Sequence, residues 1–231
     1  MPSLRHAAWL LKPRKSGGGH GTTVWRLGAR VPRGAYLQRR VAGVPGSVVF
    51  AADGRRALVL GLTRQLVGEP AFGASGFRYC GSLLASRAEP LFERQAELLE
   101  RARLLVEAVT EAFGLRGVNG IDFIARGGVP YPIEVNPRYS ASMELVERAT
   151  RTSVFAVHVD ACAGRLAAAR RAPARTHGKA VVFARGDLVV GNPAAWTGAR
   201  IADVPHCGEL IGRGHPICTV FAAEVGAEGC L

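Results

Sequence analysis

The sequence predicts an α+β fold, and three observations carry the prediction. Two pairs of apolar runs are joined by hairpin-forming turns. One long amphipathic run is punctuated as a helix, and the carboxyl-terminal stretch returns to short strand-like runs. At 231 residues the chain is long enough to bury one good core or two small ones.

Residues 1–75 read as strand-rich. Trp9-Leu10-Leu11 is a short apolar run that delivers Lys12 to a loop, Ser16 to Gly21, where Gly17, Gly18, Gly19 and Gly21 surround His20. Ser47–Phe50 and Ala57–Leu60 flank Asp53-Gly54, and Asp-Gly between apolar runs signals a hairpin. Ser86–Glu89 has the form of a capping box, so a helix is expected from about Pro90 to Phe113. Leu91, Leu98, Ala102, Leu105, Val109 and Phe113 fall near one face of it, and Gly114 ends it. Next come two strands, Val118–Ile124 and Val129–Asn136, around the turn residues Arg126-Gly127-Gly128. Ser140-Ala141-Ser142 is expected to cap a helix starting near Met143, and an alanine-rich helix from Val154 to Arg171 follows. Arg171–Gly178 reads as a connector to a β-rich tail with strands over Lys179–Ala184, Asp187–Val190 and Ile217–Ala223. The expected organisation is therefore a strand-rich unit over 1–75, a core unit over 76–172 and a β-rich extension over 173–231.

Chemistry concentrates in two segments. On the strand Val129–Asn136 side chains alternate faces, so Glu134 and Asn136 share the face opposite Val129, Tyr131, Ile133 and Val135. An antiparallel hairpin brings Asp122 beside one of them. Two carboxylates and an amide oxygen on one face suit magnesium, which completes its shell with waters and phosphate oxygens. A solvated face of an ordinary hairpin has the same spacing. The second segment is Lys12 with the glycine-rich loop. Glycines let backbone N–H groups approach phosphate oxygens, and the ammonium adds a point charge. It is not a Walker loop, since the lysine precedes the glycines, and a flexible linker would share its composition. Each segment strengthens the phosphate reading of the other.

Together, Lys12-Pro13 with Ser16 to Gly21, the run Tyr36–Gly43, Asp122, and Glu134-Val135-Asn136-Pro137-Arg138 resemble the ATP-grasp superfamily. Within it the chain most resembles proteins described as predicted ATP-dependent carboligases, which join a carboxylate to an amine or thiol. The resemblance implies a nucleotide held between two α+β subdomains, with a flexible glycine-rich lid and magnesium (or manganese) bridging the phosphates. It assigns Lys12 to the α- or β-phosphate and Ser16, Gly17, Gly18, Gly19, His20 and Gly21 to the lid. Gln38, Arg39, Arg40 and Val41 become the hinge at the adenine edge. Asp122, Glu134 and Asn136 become the metal ligands, and Arg138 stabilises transferred phosphate or acyl phosphate. The implied partners are ATP, a small carboxylate and an amine.

The chain departs from the pattern in three ways. The family carries another nucleotide-contacting lysine and a subdomain upstream of Lys-Pro, so a missing amino-terminal subdomain or partner chain is expected. The hinge has Gln38 where glutamate is usual, and Pro45-Gly46 stand near the place of a ribose-binding acid. A nucleotide-binding fragment without turnover of its own is the first alternative these departures raise.

The formal charge of +12 raises another alternative, a nucleic-acid-binding protein. Its arginines are dispersed and not interleaved with aromatics, which argues against a stacking groove. No apolar run approaches the roughly 18 residues that span a bilayer. Five scattered cysteines without a C-x-x-C pair suggest reduced thiols and a cytoplasmic setting. His206, Cys207, His215 and Cys218 match no common zinc spacing, and Cys80 reads as a buried thiol. Arg64, Gln65 and Arg78 are further candidates for the carboxylate substrate.

Overall fold

The computed structural model describes residues 8–166, 173–196, 198 and 200–231. Its first three strands, β1 (Trp9–Pro13), β2 (Thr23–Trp25) and β3 (Ala35–Arg39), form a small antiparallel sheet in the order β2-β1-β3. The following strands are β4 (Val44–Asp53), β5 (Ala57–Val67), β6 (Tyr79–Leu84), β7 (Arg116–Arg126), β8 (Val129–Asn136) and β9 (Thr176–Phe183). After β9 come the short strands β10 (Leu188–Val189), β11 (Ile201–Ala202) and β12 (Leu210–Ile211), then β13 (Pro216–Glu224). Eight of these build one antiparallel sheet in the order β11-β13-β9-β6-β5-β4-β7-β8. Strand pairing crosses residue 75 through β5 and β6, and it crosses the 172–173 boundary through β6 and β9.

Both hairpin signals give hairpins. Asp53 accepts from the backbone N–H groups of Arg55 (3.0 Å) and Arg56 (2.8 Å), closing the β4–β5 turn. Gly127 and Gly128 carry φ of 56° and 72° between the paired residues Arg126 and Val129. Two successive positive φ values make a two-residue turn that matches strand twist, which only glycine-like residues adopt without strain.

Helix α1 (Gln95–Phe113) covers one face of the sheet. Its Leu98, Ala102 and Val106 pack with Val48, Phe50, Ile121 and Phe123 in the largest core cluster. Fully burying side chains of that size stabilises by about 1.5–3 kcal/mol each. Helices α2 (Ala141–Thr150) and α3 (Val154–Cys162) cover the other face, where Val49, Leu84, Val118, Met143 and Val154 cluster. Strand β4 is therefore buried on both faces, which explains its unbroken apolar run from Val48 to Ala52.

Four expectations are corrected in detail. The helix expected from Pro90 begins at Gln95. Ser86 Oγ does accept from Glu89 N–H at 3.1 Å, but Leu91 and Phe92 are then spent as buried loop residues. Gln95 Oε1 takes the Leu91 N–H, and Arg94 turns left-handed at φ 53° before the helix starts. Phe113, expected on the buried face, is 73% exposed in the last turn before Gly114, which has φ 60°. Helix α3 stops at Cys162 instead of running to Arg171; residues 167–171 of that expectation lie outside the described residues. His177 and Gly178 belong to β9 and not to a connector.

Candidate functional site

A cleft of about 560 Å³ opens between the small sheet and the β7–β8 end of the large one. The β7–β8 register sets Asp122 opposite Glu134 and Gly120 opposite Asn136, and a bulge between Asp122 and Phe123 follows. Alternation then turns Asp122, Glu134 and Asn136 to the cleft, and all three line it. Asn136 Nδ2 lies 3.4 Å from Asp122 Oδ2 and 3.5 Å from Glu134 Oε1. Arg138 donates to Asn136 Oδ1 at 3.1 Å and to the Tyr139 carbonyl at 3.1 Å, which orients its fork at the cleft edge. Val135 is 38% exposed, so the opposite face of this edge strand is not the core stripe its alternation suggests.

Desolvation pushes the Asp122 carboxyl above the usual carboxylate range, and the Glu134 charge adds to the push. Hydrogen bonding from Ser47 and Gln65 and the charge of Arg138 act the other way. A carboxylate whose ionisation is opposed by burial and by a neighbouring negative charge is what a divalent cation relieves. Among the described residues no three His, Cys, Asp or Glu side chains gather as a metal cluster. Asn136 turns Nδ2 to the acids and Oδ1 to Arg138, so a cation here would rest on Asp122, Glu134 and, with the amide turned over, the Asn136 oxygen; with phosphate oxygens completing its shell, that donor set suits magnesium.

The opposing wall is the small sheet. Lys12, Arg14, Tyr36 and Gln38 line the cleft from it, with Arg39, Arg40 and Val41 at its end. Gln38 donates from Nε2 to the Ile133 carbonyl on β8 at 3.4 Å, tying the end of β3 to the floor. The glycine loop is docked on the first residue of β6 and the segment just before it. Tyr79 N–H donates to the Gly18 carbonyl at 2.9 Å, and a Cβ on Gly19 would lie 1.8 Å from the Phe77 carbonyl oxygen. Turn bonds from His20 N–H to Gly17 O (3.1 Å) and from Thr22 N–H to Gly19 O (3.1 Å) shape the loop. Ser16, Gly17, Gly18 and Gly19 line the cleft, whereas His20 and Gly21 are outside its lining.

Of the residues expected at the site, the structure thus brings together Lys12, Ser16 to Gly19, Gln38 to Val41, Asp122, Glu134, Asn136 and Arg138. Gln65 joins them; Arg64 does not line the cleft. Arg78 is committed elsewhere, stacked 5.0 Å from the Phe183 ring and donating to the Gly214 carbonyl. Cys80 is fully buried, with Sγ 3.4 Å from the Leu66 carbonyl oxygen, and burial pushes its thiol up.

Sequence reasoning missed Tyr79, Ser140 and Ser142. Tyr79 lines the cleft with its hydroxyl 2.9 Å from Ser82 Oγ, and burial raises its phenol to about 12, so it stays protonated. Ser140 stands at the N-cap of α2, and its buried Oγ has no hydrogen-bond partner among the described residues. Ser142 is held by Thr63 Oγ1 at 3.0 Å. The Ser140-Ala141-Ser142 cap signal was legible, but its place in the cleft depends on the β8–α2 junction.

A family model described as an ATP-grasp domain matches residues 2–142. The chain belongs to the ATP-grasp family. An uncharacterised protein of Methanocaldococcus jannaschii is 29% identical over 116 residues, 50% of this chain and 28% of that protein. The N5-carboxyaminoimidazole ribonucleotide synthetase of Thermus thermophilus superposes with a TM-score of 0.66 at 18% identity, covering 97% of this chain and 59% of that one. Phosphoribosylamine–glycine ligase of Thermotoga maritima gives 0.65 at 16% identity, covering 96% and 63%. The biotin carboxylase domain of Hydrogenobacter thermophilus 2-oxoglutarate carboxylase, solved with MgADP, ADP and bicarbonate, gives 0.65 at 17% identity, covering 94% and 53%. At such identities the likeness is one of fold. The chain spans about half to three fifths of these solved ATP-grasp chains, and its family match covers the small sheet, the glycine loop and the β7–β8 hairpin.

Proposed function

We propose that this ATP-grasp chain carries the nucleotide and metal site of a ligase that uses ATP to activate a small carboxylate for attack by an amine or thiol. One observation carries the reading. Asp122, Glu134 and Asn136 meet on a strand pair at the floor of the cleft, facing Lys12 and the glycine loop on the opposite wall. The lid in this reading is the small sheet with its loop, and residues 173–231 are an extension that completes the large sheet.

The three floor residues would hold magnesium or manganese, which when bound would screen phosphate charge and polarise the phosphoryl group under attack. Lys12 supplies a compact positive charge along the phosphates, and amides of the cleft-lining Ser16–Gly19 part of the loop donate to their oxygens. Backbone groups of Gln38 to Val41 meet the adenine edge. Arg138 keeps free guanidinium donors for the transferred phosphoryl group, because its bonds to Asn136 and Tyr139 use two of its five N–H groups. A carboxylate oxygen of the substrate attacks the terminal phosphorus and ADP leaves; the amine then displaces phosphate and loses its proton to solvent. Positioning and charge neutralisation suffice for both steps, so no protein nucleophile is required. Turnover by this stretch alone is a separate matter from binding, since the solved ATP-grasp chains of similar fold are longer.

Calorimetry of MgATP binding tests the reading, beside Glu134→Gln and Asn136→Ala. Both side chains lie on an edge strand at the cleft, so the variants should unfold in urea like the parent. The expectation is micromolar, magnesium-dependent binding by the parent that both variants lose. Equal binding by parent and variants would remove the metal assignment.

A further inference from the structure

We infer that Arg14 is a second phosphate-binding cation of the cleft, acting beside Lys12 on the outer phosphates; this rests on the nucleotide reading above. Lys12 and Arg14 are two residues apart along β1 and its continuation, so their side chains leave the same face, the one that lines the cleft. The ladder continues past the strand end, because Arg14 N–H donates to the Gly34 carbonyl at 2.8 Å. Leu10 is paired with Gln38 at the hinge and Lys12 with Tyr36, so Arg14 stands one step farther from the hinge than Lys12. Two residues of strand correspond to about 7 Å, which sets the second cation toward the far end of a ligand whose base lies at Gln38–Val41.

The way these cations are held matters. Lys12 Nζ lies 6.0 Å and Arg14 Cζ 5.8 Å from the centroid of the same Tyr36 ring. A π face orients a cation without neutralising it, unlike a carboxylate partner. Among the described residues neither Lys12 nor Arg14 forms an ion pair, while Arg56, Arg94, Arg103 and Arg165, away from the cleft, all do. Cleft-lining cations also outnumber cleft-lining carboxylates: Lys12, Arg14, Arg39, Arg40 and Arg138 against Asp122 and Glu134. That excess suits a polyanion such as a nucleoside triphosphate with its metal. With the Tyr36 face occupied by cations, stacking a base on it is disfavoured, which leaves the ring as a platform for the charges.

Calorimetry with ATP, ADP and AMP, each with magnesium, tests the inference on Arg14→Met and Arg14→Lys. Methionine keeps an apolar cover on Tyr36, and thermal unfolding checks that both variants fold. The expected result is at least tenfold weaker ATP and ADP binding by Arg14→Met, AMP within twofold of the parent, and an intermediate loss for Arg14→Lys. If Arg14→Met binds ATP like the parent while Lys12→Ala does not, Arg14 is a surface cation and the cleft reading stands. An equal loss for AMP and ATP would mean Arg14 shapes the cleft without touching the outer phosphates. A folded parent that binds no MgATP would overturn this inference and the nucleotide reading together.

Discussion

Of two glycines in one loop, two residues apart, only one should respond to an added methyl. Gly19 has φ +76°, and a Cβ there would lie 1.8 Å from the Phe77 carbonyl oxygen. Gly17 has no neighbour within 4 Å of its would-be Cβ and no positive φ. Holding alanine in the left-handed region costs about 1–2 kcal/mol. The clash cannot be absorbed by a side chain, since its partner is backbone, so the loop must lift from Phe77–Tyr79. Lifting forfeits the Tyr79 N–H to Gly18 O bond, which contributes about 1 kcal/mol. The left-handed strain and the backbone clash both load the docked state, so docking is disfavoured by at least about 1–2 kcal/mol, a factor of roughly 5 to 30 in its population. The loop is a surface element, so global unfolding should shift little while a ligand that needs the docked loop binds weaker by that factor. Calorimetry of MgATP with Gly19→Ala and Gly17→Ala, beside thermal unfolding, reads both effects. Gly17→Ala should match the parent within twofold. Parent-like MgATP affinity in Gly19→Ala would refute the claim that the docked loop forms part of the nucleotide site.

Further outcomes follow from other parts of the molecule. Because Asp122 is held above its ordinary range in the folded chain, its ionisation opposes folding; Asp122→Asn should stabilise the metal-free protein at neutral pH, read by urea unfolding, and the difference should shrink as pH falls through the carboxylate range. For the same reason magnesium affinity of the parent should rise with pH across that range, as Asp122 loses its proton. Lys179 Nζ, 10% exposed on β9, meets Glu144 Oε2 of α2 at 2.6 Å, so Lys179→Met should destabilise by about 1–3 kcal/mol and a double change with Glu144→Leu should recover part of it. Thiol labelling of the native chain should reach Cys162 and Cys207 at once and Cys80 and Cys218 only on unfolding, with mass spectrometry assigning the sites.

Local chemistry was legible wherever the signal was itself local. Asp53-Gly54, Gly127-Gly128 and Gly114 each marked an element end by a backbone conformation that few residues adopt, and each did so in the structure. That Asp122, Glu134 and Asn136 share one face was legible because strand alternation is fixed and a hairpin sets Asp122 beside Glu134 or Asn136. What was not legible depended on contacts distant in sequence. Nothing near Ser86–Arg94 says that Leu91 and Phe92 will be buried as loop residues, so the capping signal pointed to a helix starting too early. Tyr79 and Ser142 enter the cleft through β6 and α2, whose positions follow from pairing with β9 and packing on β5. Arg78 looked available beside the site, and only the fold of the carboxyl-terminal segment takes it away, through Phe183 and Gly214.

The same tertiary contacts explain why the cleft's charges remain unspent. The two sheets are tied at one place by Gln38 to the Ile133 carbonyl and at another by Tyr79 N–H to the Gly18 carbonyl. Neither tie uses a charged side chain. Among the described residues no ion pair crosses the cleft, although it has lysine and arginine on one wall and two carboxylates on the other. A wall held by cross-cleft ion pairs would have to break them to admit an anion and a cation, and part of the binding energy would be lost in doing so. Amide and backbone ties set the spacing instead, and among the described residues Lys12 and Arg14 on one wall and Asp122 and Glu134 on the other form no ion pair. Shifting the balance should therefore be costly to function: Gln38→Glu would set a carboxylate against the Ile133 carbonyl and beside Arg39 and Arg40, loosening one tie while neutralising hinge cations. The expected outcome is weaker MgATP binding with a shallower salt dependence, and unchanged affinity together with an unchanged salt slope would show that the tie is incidental.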